Sequence, residues 1–187
     1  MTNEDNPWRT LSTDVRYDNA WITVRHEDVL KPNGEPGIYG TVHFKNLALG
    51  VVVLDDEMNT YLVGQWRYPL QQYSWEIPEG GGDPKIDRLT SIQRELREET
   101  GIEAARWREL LQLHLSNSVT DEVATIYLAT GLSFGDAHPD DTESLQLRKL
   151  PFEDAYQMTL DWRISDAMSV AGLQRVKLLQ LEGKLDL

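Results

Sequence analysis

The sequence predicts an α+β fold, a mixed β-sheet with helices packed against it. Three observations carry this. The elements run strands, one helix, strands, then two helices, an order that fits a sheet covered by helices. "LALGVVVL", residues 47–54, is a continuous apolar run fit for a strand buried on both faces. Residues 88–100 carry apolar side chains at helical spacing between two capping residues. At 187 residues the chain suits one domain with one sizeable core, 1–187, in which 1–45 is an N-terminal strand and hairpin region and 46–187 the core.

"AWITVRHEDVL" alternates Ile22, Val24, His26, Asp28 and Leu30 and predicts a strand. "KPNGEPG" is dense in turn residues, and "IYGTVHFK" alternates again, so the pair predicts a hairpin with a long loop. After the 47–54 strand, "DDEMNT" turns the chain and "YLVGQWR" returns it. "SWEIPEGGG" predicts a short strand ending in a glycine loop. The first helix spans about Arg88 to Thr100, with Asp87 as N-cap, Gly101 just past its end, and Leu89, Ile92 and Leu96 as its apolar face. "WRELLQLHL", "EVATIYLATGL" and "LQLRKLP" predict three more strands, with a polar loop around "HPDDTES". "PFEDAYQMTL" and "SDAMSVAGLQRVKLLQLEG" predict two closing helices, the second capped by Ser165 or Asp166 and ended by Gly183.

Composition narrows the function. With 18 basic and 31 acidic residues the net charge is −13, which argues against a nucleic-acid partner. No apolar run is long enough to span a bilayer, so no membrane partner is expected. The N-terminal "MTNEDNPWRT" lacks the apolar region of a signal peptide, and a cytoplasmic location is the expectation. There is no cysteine, which excludes disulfides and thiolate zinc sites.

The chemistry concentrates in "GGGDPKIDRLTSIQRELREETGI", residues 80–102. On a helix, positions three and four apart share a face, so Glu95, Glu98 and Glu99 line one side. Arg94 lies four residues before Glu98 and can hold it. Carboxylates so crowded repel one another unless cations intervene, and hard oxygen ligands suit Mg²⁺ or Mn²⁺. An open acidic cluster of this kind fits phosphate chemistry. A solvated acidic helix face is the bland alternative, and "RELREET" alone favours it. Gly80, Gly81 and Gly82 shift the balance, because they allow close approach of a ligand.

The same stretch resembles the Nudix box, G-x5-E-x7-R-E-U-x-E-E-x-G-U, with U aliphatic. Gly80 matches the first glycine, and Arg94, Glu95, Leu96, Glu98, Glu99, Gly101 and Ile102 match the rest. The departure is Ile86, which stands at the first glutamate. The resemblance to Nudix hydrolases implies an α/β/α sandwich with a mixed sheet and an N-terminal β-hairpin extension. It also implies Mg²⁺-dependent hydrolysis, with Mn²⁺ as a substitute. It makes Glu95 and Glu99 metal ligands, Glu98 a further ligand or base, the carbonyl of Glu79 a ligand, and Arg94 the group that orients a glutamate.

"VGQWRYPL" followed by "WEIPEGG" resembles the ADP-ribose and nucleoside-diphosphate-sugar pyrophosphatase branch. That resemblance makes Arg67 a substrate contact, with Trp75, Glu76, Gly80 and Gly81 as further substrate-side positions. A surface arginine paired with Glu76 is the plain alternative for Arg67. In "SNSVTDE", Ser116, Asp121 and Glu122 match a segment of that branch, whereas Asn117 stands where proline is usual, which favours a broader nucleotide-sugar substrate. In the polar loop Glu143 aligns with a catalytic carboxylate, with Asp140 and Asp141 as alternatives. Similar enzymes form homodimers through the N-terminal region, where Trp21 either stacks the base or packs. His26 and His43 are read as structural, and His114 and His138 receive no role.

The expected reaction is hydrolysis of a nucleoside diphosphate sugar, ADP-ribose or similar, to a nucleoside monophosphate and a sugar phosphate. Two rivals stand beside it. One is a nucleoside triphosphate or dinucleoside polyphosphate pyrophosphohydrolase on the same fold, against which "WRYP" and "SNSVTDE" weigh. The other is a non-catalytic nucleotide-binding module, suggested by Ile86.

Overall fold

The structure is a computed structural model that describes residues 5–137 and 145–187. Ten strands and three α-helices follow one another as β1 (Arg9–Asp18), β2 (Ile22–Leu30), β3 (Pro36–Phe44), β4 (Leu47–Val53), β5 (Asn59–Arg67), β6 (Gln72–Glu76), β7 (Glu79–Gly82), α1 (Arg88–Thr100), β8 (Ile102–His114), β9 (Val123–Phe134), β10 (Gln146–Pro151), α2 (Phe152–Leu160) and α3 (Ala167–Leu181). The described residues form two compact units, one within Met1–Asn46 and His114–Glu122, the other within Leu47–Leu113 and Val123–Leu187.

The first unit is a three-stranded antiparallel sheet in the order β1-β2-β3. The β2–β3 hairpin expected from "KPNGEPG" is present, closed by Gly34 N–H donating to the Lys31 carbonyl at 2.8 Å. The segment 114–122 joins this sheet. Val42 N–H donates to the Val119 carbonyl at 2.8 Å, and Tyr39 Oη donates to the Ser118 carbonyl at 2.7 Å. His43 Nδ1 lies 2.5 Å from Asp121 Oδ2, and Phe44 N–H donates to Asp121 Oδ1 at 3.0 Å. His43 is thus paired with Asp121 within this sheet. Trp21 is 66% exposed, so it does not pack within the chain. The sequence reading assigned no element to β1. Leu11, Val15 and Tyr17 do fall on alternate positions there, but every residue of β1 is exposed, so no core covers them.

The second unit holds a mixed sheet, β7-β4-β9-β8, and an antiparallel sheet, β10-β5-β6. In the mixed sheet β4 runs parallel to β9 and antiparallel to β7. Helix α1 packs on β7 and β4, while α3 packs on β4 and β9, so β4 has helices on it as its apolar run required. Leu49, Val51 and Val53 of β4 join Ile92 and Leu96 of α1, Ile102, Tyr127 and Ala129 in one buried cluster. Burying each of these β4 side chains contributes about 1.5–3 kcal/mol. The predicted α+β fold, with a mixed sheet and helices against it, is the fold observed.

Helix α1 spans the predicted residues. Asp87 caps it, its carboxylate accepting from Thr90 N–H at 3.0 Å. Gly101 ends it at φ +70°, with its N–H on the Arg97 carbonyl. A Cβ at Gly101 would sit 2.3 Å from the Gly135 backbone oxygen, so the chain can leave the helix here only without a side chain.

Two local predictions are corrected. The glycine stretch is a strand: β7 pairs with β4 at Ala48–Gly81 and Leu49–Gly80. Three successive glycines hide their strand character, because they offer no alternating side chains to read. Strand β8 starts at Ile102, directly after the helix, well before "WRELLQLHL". Glu103, Ala105 and Arg106 are exposed, which removes the periodic signal from its first turn of sequence.

Candidate active site

The second unit gathers acidic side chains from elements far apart in the chain. On β5 and β6, Arg67 and Glu76 share one face, because the register pairs Glu76 with Val63 and side chains alternate along each strand. Arg67 grips Glu76 with its fork: Nε donates to Oε1 at 2.9 Å and to Oε2 at 3.0 Å, and Nη2 also reaches Oε2. The same Nη2 donates to Glu79 Oε1 at 2.5 Å. Glu76 is only 2% exposed, so this pairing is what makes its burial tolerable. Burial alone would lower the Arg67 pKa. The hydrogen bonds and charge of Glu76, then the charge of Glu79, outweigh it and raise it, keeping the guanidinium charged.

Asp166 completes the group. It caps α3, its Oδ2 accepting from Ser169 N–H at 2.7 Å, and carboxylate oxygens of Glu76, Glu79 and Asp166 all lie within 4.8 Å of one another. Glu79 Oε2 is buried with no hydrogen-bond partner among the described residues. Burial, then the nearby charges of Asp166 and Glu76, push the Glu79 carboxyl well above the usual glutamate range, although Arg67 pulls it down.

Helix α1 brings Glu95 and Glu99 to the same region. Glu95 lies against Gly80 of β7 so closely that a Cβ there would meet its Oε2 at 2.5 Å and its Cδ at 2.6 Å. The glycine the box requires is thus the floor on which Glu95 rests. Arg94 donates from Nη2 to Glu95 Oε1 at 2.5 Å and from Nη1 to Glu98 Oε2 at 2.9 Å. Glu99 is buried at 8% exposure, and its charge contributes to the raised pKa of Glu79.

The structure therefore groups Arg67, Glu76, Glu79 and Asp166, sets Glu95 on Gly80, and gives Arg94 the holding role expected from its spacing. Trp75 is not brought into this group. It lies on the opposite face of the β6 strand from Glu76, edge-on to Tyr73 at 5.7 Å, with Arg148 5.6 Å over its ring. Gly81 pairs with Ala48 on the sheet. Glu143, Asp140 and Asp141 lie outside the described residues. Asp166 was read from sequence only as a helix cap. No spacing rule links it to Glu76 or Glu79, and only the fold brings the three together.

The donor set fits a divalent cation. It consists of hard carboxylate oxygens, and one of them is buried and unsatisfied at Glu79. A diphosphate could not approach so many negative groups unless cations offset them.

A pH dependence follows. The folded-state pKa of Glu79 is raised above its unfolded value near 4.5, so between the two values the folded chain holds more protons than the unfolded one. Glu79 then adds stability at low pH that is lost as pH rises through its raised pKa. Metal-free protein should melt at progressively lower temperature as pH rises through that window, and Glu79→Gln should flatten the slope. An unchanged slope in Glu79→Gln, followed by calorimetry in EDTA, would remove Glu79 as its source.

The family described as the NUDIX domain matches residues 45–170, and that described as the nucleoside diphosphate sugar hydrolase N-terminal domain matches residues 8–42. The chain is 31% identical over 176 residues to the methanol dehydrogenase activator of Bacillus methanolicus, covering 91% of this chain and 92% of that protein. It is 30% identical over 180 residues to the ADP-ribose pyrophosphatase of Mycobacterium tuberculosis, covering 92% and 84%. A solved structure described as an ADP compounds hydrolase superposes with a TM-score of 0.84 at 22% identity, over 95% of this chain and 97% of that one.

Proposed function

This chain belongs to the NUDIX family and is a hydrolase of the ADP-ribose and nucleotide-sugar pyrophosphatase type, and from that premise we propose that it cleaves the pyrophosphate of a nucleoside diphosphate sugar with Mg²⁺. The observation that carries the proposal is the convergence of the box helix on β7, with Glu95 seated on Gly80 and Glu99 bearing on the buried Glu79. Glu95, Glu99 and Glu98 with the Glu79 carbonyl would hold the metal, and Mn²⁺ would substitute. When bound, the metal offsets the diphosphate charge and makes water a better nucleophile at neutral pH.

The chain's own residues do the rest. Arg94 fixes the rotamers of Glu95 and Glu98, so their oxygens keep their positions at little entropic cost. Arg67, a third exposed, offers a permanent positive charge beside the acidic group for the substrate's phosphates. Water attacks one phosphorus, and the bridging P–O bond breaks. The water proton passes to Glu98 or to Glu143, which must come within hydrogen-bond reach of it. The products are a nucleoside monophosphate and a sugar phosphate, with no covalent enzyme intermediate. The two regions, 1–45 and 46–187, act as one hydrolase in this reading, with 1–45 supplying homodimer contacts. The exposed Leu11, Val15 and Tyr17 of β1 support that role, and a monomer in sedimentation equilibrium would count against it. A cytoplasmic location is part of this reading, and cell fractionation would check it.

The deciding experiment is a substrate panel with Mg²⁺ and with Mn²⁺. ADP-ribose, other nucleotide sugars, NADH, nucleoside triphosphates and dinucleoside polyphosphates are each followed by phosphatase-coupled phosphate release. Selective turnover of nucleotide sugars is expected. Turnover of triphosphates or dinucleoside polyphosphates in their place would overturn the substrate class, and binding without release would make the chain a non-catalytic module.

Ile86 bears on the same question. It is half exposed, and its N–H closes a turn on the Asp83 carbonyl at 2.9 Å, just ahead of the Asp87 cap. Arg94 already holds two glutamates without help from position 86. Ile86→Glu should therefore leave kcat/KM within about tenfold, roughly 1.4 kcal/mol. A gain of several orders of magnitude would show that the natural residue disables the site.

A further inference from the structure

We propose that the cleft between the outer side of α1 and β8, at the edge of the mixed sheet, binds a phosphorylated small molecule, and that its occupant draws Arg94 away from the box glutamates. The cleft has a volume of about 450 Å³, within the range of small-molecule sites. Thr90, Gln93, Arg94 and Arg97 line it from the helix. They fall at positions i, i+3, i+4 and i+7, so one stripe of α1 presents two guanidinium groups, an amide and a hydroxyl together. Across from them stands Trp107 of β8. Its indole N–H is taken by the Ala104 carbonyl at 3.0 Å, which leaves its ring as apolar surface for the cleft.

The arginine forks select the ligand. Arg94 is already paired with Glu95 and Glu98, so an occupant must out-compete them there. One acidic residue, Glu103, lines the cleft beside the two arginines. It reaches Arg97 Nη1 only at 3.9 Å, with both side chains more than half exposed, so the pair is weak and yields readily to a better partner. A phosphate oxygen pair matches the arginine fork in geometry and offers more charge than one carboxylate.

The consequence reaches the site through one side chain. Arg94 lines the cleft and also holds Glu95 at 2.5 Å and Glu98 at 2.9 Å. A phosphate bonded to Arg94 from the cleft competes with those carboxylates for its two terminal nitrogens. Binding in the cleft and the position of the box glutamates are then linked, and the linkage is reciprocal for binding free energies.

AMP and inorganic phosphate are the probes. They are titrated by calorimetry into metal-free protein, a measurement that needs no turnover and so stands apart from the proposed reaction. AMP should bind, and Arg97→Ala should weaken it at least about tenfold, whereas Glu99→Gln should leave it unchanged. Phosphate alone should bind more weakly than AMP and lose its affinity in the same variant. Arg97 is mostly exposed, so circular dichroism of Arg97→Ala should match wild type. With a turned-over substrate and Mg²⁺, AMP should lower kcat in the wild type and not in Arg97→Ala, whereas competition at the active site alone would raise KM equally in both. Equal AMP affinity in wild type and Arg97→Ala, or loss of binding in Glu99→Gln, would overturn the proposal.

Discussion

Glu99→Gln should lower turnover at least about a hundredfold while the protein stays folded. The substitution keeps side-chain volume and removes one negative charge, so it separates electrostatics from packing. Glu99 is buried near the C-terminal end of α1, and its charge already acts on Glu79. A negative group kept in so enclosed a place is costly, and in the proposed reaction its use is to hold positive charge beside the substrate's diphosphate. Losing one electrostatic stabiliser of this kind typically costs about 10²–10³ in kcat. Steady-state kinetics with near-ultraviolet circular dichroism would test it. A variant that turns over at the wild-type rate sinks the assignment. A variant that is inactive only because its tertiary signal is lost would instead make Glu99 a residue the fold needs.

Arg67→Ala should lower stability by about 3 kcal/mol. The pair it breaks is buried on the carboxylate side, and stranding one member of a buried pair typically costs about 3–5 kcal/mol. The lower end applies because Arg67 is itself about one third exposed, and solvent screens part of the loss. For a chain of this length that corresponds to a fall in Tm of about 6–12 °C. The variant should also lose activity, but the stability loss has a second signature. Glu76 and Glu79 would face each other without their guanidinium, so added Mg²⁺ should recover more of the lost Tm in the variant than it adds to the wild type. If Arg67→Ala melts with the wild type, the fork seen between Arg67 and Glu76 contributes nothing to the fold.

Helix α1 was legible in full because its signals are local. Asp87, the spacing of Leu89, Ile92 and Leu96, and Gly101 act on the residues beside them, and the helix has the predicted ends. The buried strand β4 was legible because its whole run is apolar. The glutamates of the box could be assigned to one side of the helix from a 3.6-residue period, and Arg94 to Glu98 from its place four residues ahead of it. Strand β1 was missed although Leu11, Val15 and Tyr17 fall on alternate positions, and β7 because glycine carries no pattern to read.

What the sequence by itself determined, then, is the α+β class, the box helix with both caps, and the face that carries Glu95, Glu98 and Glu99. These follow from interactions within a few residues, which spacing encodes. Only the tertiary structure decided that the box glycine is a strand residue forming the floor beneath Glu95. It also decided that Arg67 joins Glu76 to Glu79 and that the α3 cap Asp166 belongs with them. The alignment of β5, β6 and β7 with the start of α3 sets those meetings. The carboxylates they concentrate repel one another, so nothing in local sequence preference would have gathered them without the packed sheet and helices that hold them.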